Sequence, residues 1–190
     1  MKNTNKKYNN IHQDIIDKCK LGNQSAQFKL YKLYYKAMYN TSLRIVNDSA
    51  LAEDIMQESF LKAFEKITSY NKKVSFGAWL KKIVINKSLD EIKKNKIETD
   101  TIDDNLSNKI AEKVNNYDFD YELKAEQIKN AIEQLPEGYR IVLSLKLIEG
   151  YDHDEISQIL KIKSSTSRSQ CARARQKLVE ILKPQLLFKN

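Results

Sequence analysis

The residues of this sequence best suited to a binding chemistry are the cations at and just before its last helical stretch. Arginine guanidinium groups pair with phosphates and with guanine edges, and lysine ammonium groups neutralise phosphates. The cluster consists of Lys161, Lys163, Arg168, Arg173 and Arg175. These residue types predict nucleic-acid binding, with Arg173 as the best candidate for a base contact and the two lysines as phosphate contacts. A solvated basic surface is the alternative.

Catalytic chemistry has little support. The chain has two histidines, His12 and His153, and it contains no HExxH, Walker A or Cys/His metal pattern. Cys19 and Cys171 lie far apart and are predicted to be buried free thiols in a reducing compartment. We therefore predict no catalytic residues, no metal and no cofactor.

Composition predicts the elements that must position these cations. The chain has 190 residues, a formal net charge of +8, and only 4 glycines and 2 prolines, too few for the turns of a β-sandwich or barrel. Long stretches rich in Lys, Leu, Ile, Glu and Ala favour an all-α protein. The polar start and the lack of a long apolar run predict no secretion signal, no membrane insertion and a cytoplasmic location.

Charge divides the chain into three segments. The segment from Ile97 to Glu122 contains eight acidic residues and two lysines. Its net charge is −6, so the rest of the chain carries +14. We predict two small helical domains joined by an acidic flexible linker, the second domain containing a helix-turn-helix. The predicted segments are 11–96, 97–122 and 123–187. The predicted helices of the first domain are about 11–21, 24–46, 49–68 and 75–95, and breaks in the second fall at Leu135-Pro136, Glu149-Gly150 and KIKSS (161–165).

The helix-turn-helix prediction depends on the end of the chain. Asp152 or His153 can cap a short helix, KIKSS forms a tight turn, and Ser164 or Ser165 can cap the last helix. On a helical wheel the core-facing residues are Cys171, Ala174, Leu178, Ile181 and Leu182. The predicted DNA-contacting residues are Lys163, Thr166, Arg168, Ser169, Ala172, Arg173 and Arg175. Small residues near the start of such a helix can enter a major groove while flanking arginines reach phosphates.

Two stretches of the first domain have different chemistry. In 50-ALAEDIMQESFLKAFEKI-67 an apolar face recurs at helical spacing, and Glu53, Asp54, Gln57, Glu58 and Leu61 project outward. An exposed leucine beside acids suits a protein contact, although a solvated polar face is also open. In 70–96, lysines alternate with aromatic residues, which suits single-stranded or opening DNA. Trp79 in that stretch is either a DNA contact or a core aromatic.

Together these motifs resemble the extracytoplasmic-function (ECF) group of the RNA polymerase sigma-70 family. EGYDHDEISQILKI with the following Thr166, Arg168, Ser169 and RAR (173–175) is similar to the family's promoter-reading domain. AEDIMQESFLKAF resembles its segment that docks on the β′ clamp helices, and FGAWLKKIVINKSLD resembles its helix that recognises and melts the -10 element. The resemblance spans about Gly22 to Leu182.

The resemblance implies a role for each set of residues. Core polymerase binding would use Asp54, Gln57, Glu58 and Leu61. Contacts with -10 DNA would use Trp79, Lys82, Asn86, Lys87 and Lys93. The last helix would read the -35 element, the loop 69–75 would form the pocket for a flipped base, and the linker would thread the RNA exit path. The implied partners are core RNA polymerase, through its β′ clamp helices and β flap, promoter DNA, and an anti-sigma factor as a further candidate.

Three positions depart from the family pattern. The family usually has Gly at Lys161, a branched apolar residue at Ser167, and often a basic residue at Gln170. We expect the Ser167 side chain to point into the core and its hydroxyl to bond back to a carbonyl of the first helical turn. A stand-alone helix-turn-helix regulator is the alternative function, but it leaves the acidic stretch around Asp54 and the linker unexplained.

Overall fold

The computed structural model describes the backbone of residues 10–98 and 122–187, and these residues form helices without a β-strand. The chain divides into two compact units, Met1–Glu98 and Thr99–Asn190. The predicted linker, 97–122, lies outside the described residues apart from its ends, which belong to helices. The all-α fold with two helical domains is confirmed.

In the first unit, the described residues 10–98 form four α-helices. They are α1 (Gln13–Lys20), α2 (Gln24–Val46), α3 (Ser49–Glu65) and α4 (Phe76–Glu98). A short 3-10 turn, Ile67–Ser69, follows α3. Side-chain oxygens begin two of the helices, because Asn23 accepts from the Ala26 amide and Asp48 accepts from the Leu51 amide, both at 2.9 Å. Each cap satisfies a backbone donor that the first helical turn leaves without a partner.

The core of the first unit lies where α2, α3 and α4 pack against one another, with α1 packed against α2. The apolar face predicted for α3 is confirmed, since its members from Ala52 to Ile67 are buried or half-buried. Phe76, Leu80 and Val84 of α4 are fully buried opposite that face. The periodicity of the sequence therefore assigns the inward side of α3 correctly.

The second unit is built around its last helix. Its elements are α5 (Glu122–Glu133), α6 (Glu137–Leu147), α7 (His153–Leu160) and α8 (Ser164–Leu187). Helix α8 packs against α5, α6 and α7, and Cys171 and Ala174 are buried in the resulting core, with Leu178 and Ile181 packed against it. Both cysteines are free buried thiols, as predicted. The breaks near Pro136 and Gly150 and at KIKSS are confirmed.

The helix-turn-helix is formed by α7, residues 161–163 and α8. Asp152 caps α7 in a complete capping box with Glu155, which confirms one of the two predicted caps. The prediction that Ser164 or Ser165 caps α8 is wrong, because the helix already begins at Ser164 and Lys163 precedes it. The Lys163 carbonyl accepts the Ser167 amide at 3.0 Å, the first bond of the helix.

Lys161 ends α7 in the left-handed conformation, with φ 57° and ψ 41°. This backbone costs a residue with a Cβ about 1–2 kcal/mol, and glycine adopts it freely. We expect Lys161→Gly to stabilise the second unit by about 0.5–1 kcal/mol, after the larger entropy of glycine in the unfolded chain is subtracted. Hydrogen exchange of the α7 and α8 amides measures the change. Lys163→Gly, at a position without positive φ, is the control and should destabilise.

Candidate functional site

The acidic face of α3 consists of Glu53, Asp54, Gln57, Glu58 and Leu61. All five are exposed, as predicted, and Leu61 keeps 65% of its surface accessible. The Gln57 amide donates to Glu53 Oε1 at 3.4 Å, so these two side chains lie side by side along the helix. A large exposed apolar side chain among acids is an arrangement that a protein partner can cover.

Glu58 also contacts α4, which sequence reasoning missed. Lys87 Nζ lies 2.6 Å from Glu58 and 3.3 Å from Glu91, so one lysine bridges two acids. The hydrogen bond that Lys87 donates to Glu58 is the largest cause of a raised Lys87 pKa; desolvation opposes it, and the bond to Glu91 raises the pKa further. The structure thus joins a residue predicted to bind polymerase to one predicted to bind DNA. The spacing of four residues could have revealed Glu91, but only packing reveals Glu58.

The remaining residues predicted for -10 DNA lie along α4. Lys82, Asn86 and Lys93 are exposed, and their spacings of 4 and 7 residues put them on one stripe of the helix. Trp79 is half-buried, with its ring centroid 5.4 Å from that of Tyr70 and 5.5 Å from that of Phe76. Its indole therefore serves the core at least in part. A DNA contact by Trp79 stays a prediction.

The loop 69–75, which leads into α4, contains hydrogen bonds between its own residues. Tyr70 donates its hydroxyl proton to the Val74 carbonyl at 2.7 Å, and the Asn71 side chain accepts the Lys73 amide at 3.2 Å. Lys72 adopts φ 62°, in the left-handed region. These hydrogen bonds lie within the loop, and Asn71 and Lys73 are exposed beside the start of α4.

The outward face of α8 carries the residues predicted for DNA. Arg168, Ser169, Arg173 and Arg175 are exposed, Thr166 and Ala172 are half-buried, and Lys163 is exposed in the turn before the helix. Cys171 and Ala174 are buried on the opposite side. The Arg168 guanidinium donates to Ser164 Oγ at 2.9 Å and lies 3.8 Å from Asp154 Oδ1. Arg168 is therefore held near the turn, whereas Arg173 projects from the middle of the face.

A hydrogen bond between α7 and α8 supports this face. Ser167 is fully buried, and its hydroxyl lies 2.9 Å from His153 Nδ1. The predicted bond from Ser167 to a backbone carbonyl is wrong, since the buried hydroxyl pairs with the histidine of the neighbouring helix. A buried hydroxyl without a partner is costly, so His153 makes serine tolerable at this core position.

We expect the second unit to lose stability below about pH 6.5, the ordinary pKa of histidine. Desolvation lowers the His153 pKa, and Lys146, Arg168 and Arg175 lower it further, against the opposite effect of Asp152. Because the folded histidine holds its proton less tightly than the unfolded one, stability is complete above the unfolded pKa and declines as pH falls towards the lowered value.

Hydrogen exchange of α7 and α8 amides in wild type and His153→Gln, compared at each pH, measures this decline. The difference between the two proteins should change as pH falls below about 6.5. His12→Gln, in the first unit, is the control. Parallel pH curves for wild type and His153→Gln would contradict the expectation.

Two further features concern the described residues alone. Among the side chains that the structure describes, no group of three or more His, Cys, Asp and Glu residues is arranged to hold a metal ion. Among the helices that the structure describes, none is both long and apolar enough to cross a membrane.

Comparisons with known proteins agree with this arrangement. Residues 30–97 match the family model for Sigma-70 region 2, and residues 125–178 match the model for Sigma-70, region 4. The chain is 31% identical over 150 residues to the ECF RNA polymerase sigma factor SigM of Bacillus subtilis, covering 79% of this chain and 91% of the relative. It is 30% identical over 172 residues to SigW of the same organism, covering 86% and 92%.

Solved structures agree on the fold. The sigma factor RpoE of Bartonella quintana, in a co-crystal structure with the anti-sigma factor NepR, superimposes with a TM-score of 0.57 at 24% identity, covering 82% of this chain and 95% of that one. CnrH, in complex with the cytosolic domain of CnrY, gives a TM-score of 0.55 at 20% identity, covering 91% and 97%.

Proposed function

Because this chain belongs to the ECF group of the RNA polymerase sigma-70 family, we propose a specific division of work between its segments. The chain is a sigma factor that directs transcription initiation to promoters. Sigma factors are initiation factors, and we propose that this one has no catalysis of its own and acts in the cytoplasm. Segment 11–96 would dock on core polymerase and read the -10 element, and segment 123–187 would read the -35 element.

We assign polymerase docking to the acidic face of α3. The exposed Leu61 supports this role, because it lies beside Asp54 and Gln57 on a chain whose net charge is positive. DNA would be repelled by this face, whereas a protein partner can bury the leucine and pair the acids. The β′ clamp helices of the polymerase are the proposed contact.

We assign -10 recognition to the stripe of α4. Lys82 and Lys93 would follow the phosphates, and Asn86 can both donate to and accept from a base edge. Lys87 would reach DNA only by leaving Glu58, so we rank it below the other two lysines for this role. Unstacking bases costs a few kcal/mol per step, which is a reason for a small sigma unit to work on the polymerase and not alone.

The two-sidedness of α8 is the observation that carries the -35 assignment. Cys171 and Ala174 fasten one side in the core, so Arg173 and Ser169 are presented on a rigid helix following a tight turn. This is the geometry with which a recognition helix enters a major groove. The family's contact with the β flap would hold this unit at the proper distance from the first.

The acidic linker, 97–122, would lie in the basic channel through which the polymerase releases RNA, where negative charge is complementary. An anti-sigma factor is a further proposed partner. A protein of this fold, RpoE, has been solved with the anti-sigma factor NepR, which supports such a partner.

Size-exclusion chromatography with core RNA polymerase of the source organism tests the proposed function. We expect the chain to co-elute with core, and the complex to start transcripts at a promoter that the same complex selects from a randomised duplex pool. The chain alone should bind this duplex weakly. Tight, sequence-specific binding by the chain alone, without co-elution, would favour the stand-alone regulator instead.

A further inference from the structure

Asn10 lies before α1, ahead of residues 30–97, and only 8% of its surface is exposed. Its Nδ2 donates to Gln13 Oε1 at 3.0 Å and to the Tyr70 hydroxyl at 2.8 Å. Its Oδ1 accepts the Phe76 amide at 2.8 Å. Both hydrogens of the amide and its oxygen are therefore used, and two of the partners, Tyr70 and Phe76, lie 60 and 66 positions away in the sequence.

These bonds brace the loop 69–75 at both ends. At one end the Tyr70 hydroxyl accepts a hydrogen bond from Asn10 and donates one to the Val74 carbonyl, 2.7 Å away. At the other end Asn10 satisfies the first amide of α4. Lys20 of α1 adds a further hydrogen bond to the loop, since its Nζ donates to the Tyr70 carbonyl at 3.0 Å. Two residues outside the loop, Asn10 and Lys20, therefore hold it in place.

Tyr70 of this loop is buried, while the residues between it and α4 are largely exposed. Asn71, Lys73 and Val74 are exposed, and Lys72 is held in the left-handed region although it is not a glycine. A loop that already has its bound shape loses less conformational freedom when a partner binds. The strained Lys72 backbone is the kind of feature that persists only where surrounding contacts determine it.

We propose that Asn10 is a positioning residue for promoter opening, holding the loop 69–75 in the conformation that captures the opened -10 strand. This inference rests on the proposed function. Core packing does not require Asn10, because Ile16 and Cys19 already anchor α1 through apolar burial. The buried amide adds a fixed geometry for the loop and for the first turn of α4.

Two replacements of Asn10 and one control test the proposal in the full chain. In Asn10→Leu the new side chain has a similar size, and every hydrogen bond made by the Asn10 side-chain amide is lost. Asn10→Asp keeps an acceptor for the Phe76 amide. Asn23→Ala removes the cap of α2 in the same unit and leaves the loop untouched. Fluorescence of Trp79, the single tryptophan, reports folding of the first unit in each variant, and hydrogen exchange reports the Phe76 amide.

Promoter opening is followed with core polymerase and a duplex selected by the wild-type complex, carrying 2-aminopurine in its -10 element. We expect Asn10→Leu to slow opening about tenfold, in keeping with the loss of a buried hydrogen bond. Asn10→Asp should recover most of the rate, and Asn23→Ala should match wild type. Co-elution with core should be unchanged in all three, and Phe76 should exchange faster only in Asn10→Leu.

Other results would overturn the proposal. If Asn10→Leu opens the duplex at the wild-type rate, or is slowed no more than Asn23→Ala of equal stability, Asn10 has only a structural role. If Asn10→Leu fails to fold and Asn10→Asp, folded, opens no faster than about a tenth of the wild-type rate, the acceptor for Phe76 is not what positions the loop. If wild type itself neither binds core nor opens any duplex, the proposed function fails together with this inference.

Discussion

Replacing Arg173 with alanine should cost about 1–3 kcal/mol at one base pair of the -35 element and little elsewhere. Arg173 is exposed in the middle of the outward face of α8, whose other side is buried through Cys171 and Ala174. Its removal should leave the helix in place, so the loss reports the contact itself. Competition binding of the polymerase complex to duplexes that vary at each -35 position measures the effect.

Lys163→Ala is the matched control for Arg173→Ala. Lys163 is exposed in the turn that precedes α8, and we expect it to contact a phosphate and no base. Its loss should weaken binding to every sequence alike and reduce the slope of log affinity against log salt by about 1. If Arg173→Ala also weakened all sequences alike, with promoter preference unchanged, the helix would be docked in another orientation.

Reversing the charge of Asp54 should abolish co-elution with core polymerase. Unfavourable charge pairs at an interface cost several kcal/mol, so we expect affinity to fall at least about a hundredfold. Asp54 is the cleanest position for this test, because Glu58 also pairs with Lys87, and reversing Glu58 would disturb α4 as well. Asp54→Lys is compared with wild type by titration of labelled chain into core polymerase.

Two variants separate a docking effect from a general one. Asp14→Lys makes the same charge change on an exposed position of α1, away from the acidic face, and should bind core as wild type does. Lys87→Met releases Glu58 from its ion pair, and should leave docking intact if Glu58 serves the polymerase. Equal loss in Asp54→Lys and Asp14→Lys would mean that net charge, and not this face, determines binding.

The ion pair between Glu58 and Lys87 gives these two surfaces a physical connection. Exposed ion pairs contribute about 0–1 kcal/mol to stability, so this contact is a weak brace of the fold. The pair does neutralise one negative charge on α3 and one positive charge on α4. Whichever partner engages first, polymerase on α3 or DNA on α4, would draw one of the two residues away from the other.

The local sequence pattern by itself determines many of the helix faces and one of the helix caps of this protein. The apolar period of α3, the two-sided last helix and the capping signal at Asp152 all depend on residues close in sequence. The exposed acidic face and the outward arginines follow from the same periodicity, since a helix with a known inward side has a known outward side. These features were predictable because helical geometry is set within a few residues.

Contacts between distant residues were decided by the tertiary structure alone. Asn10 with Tyr70 and Phe76, Glu58 with Lys87, and His153 with Ser167 depend on how helices pack, because the partners in each pair lie far apart in the sequence. Ser167 shows this most clearly, because a backbone carbonyl of its own helix was the expected partner and a histidine on α7 is the actual one. Periodicity predicts which side of a helix is buried, but a hydrogen bond needs two atoms within about 3 Å, and only the packed chain fixes that distance.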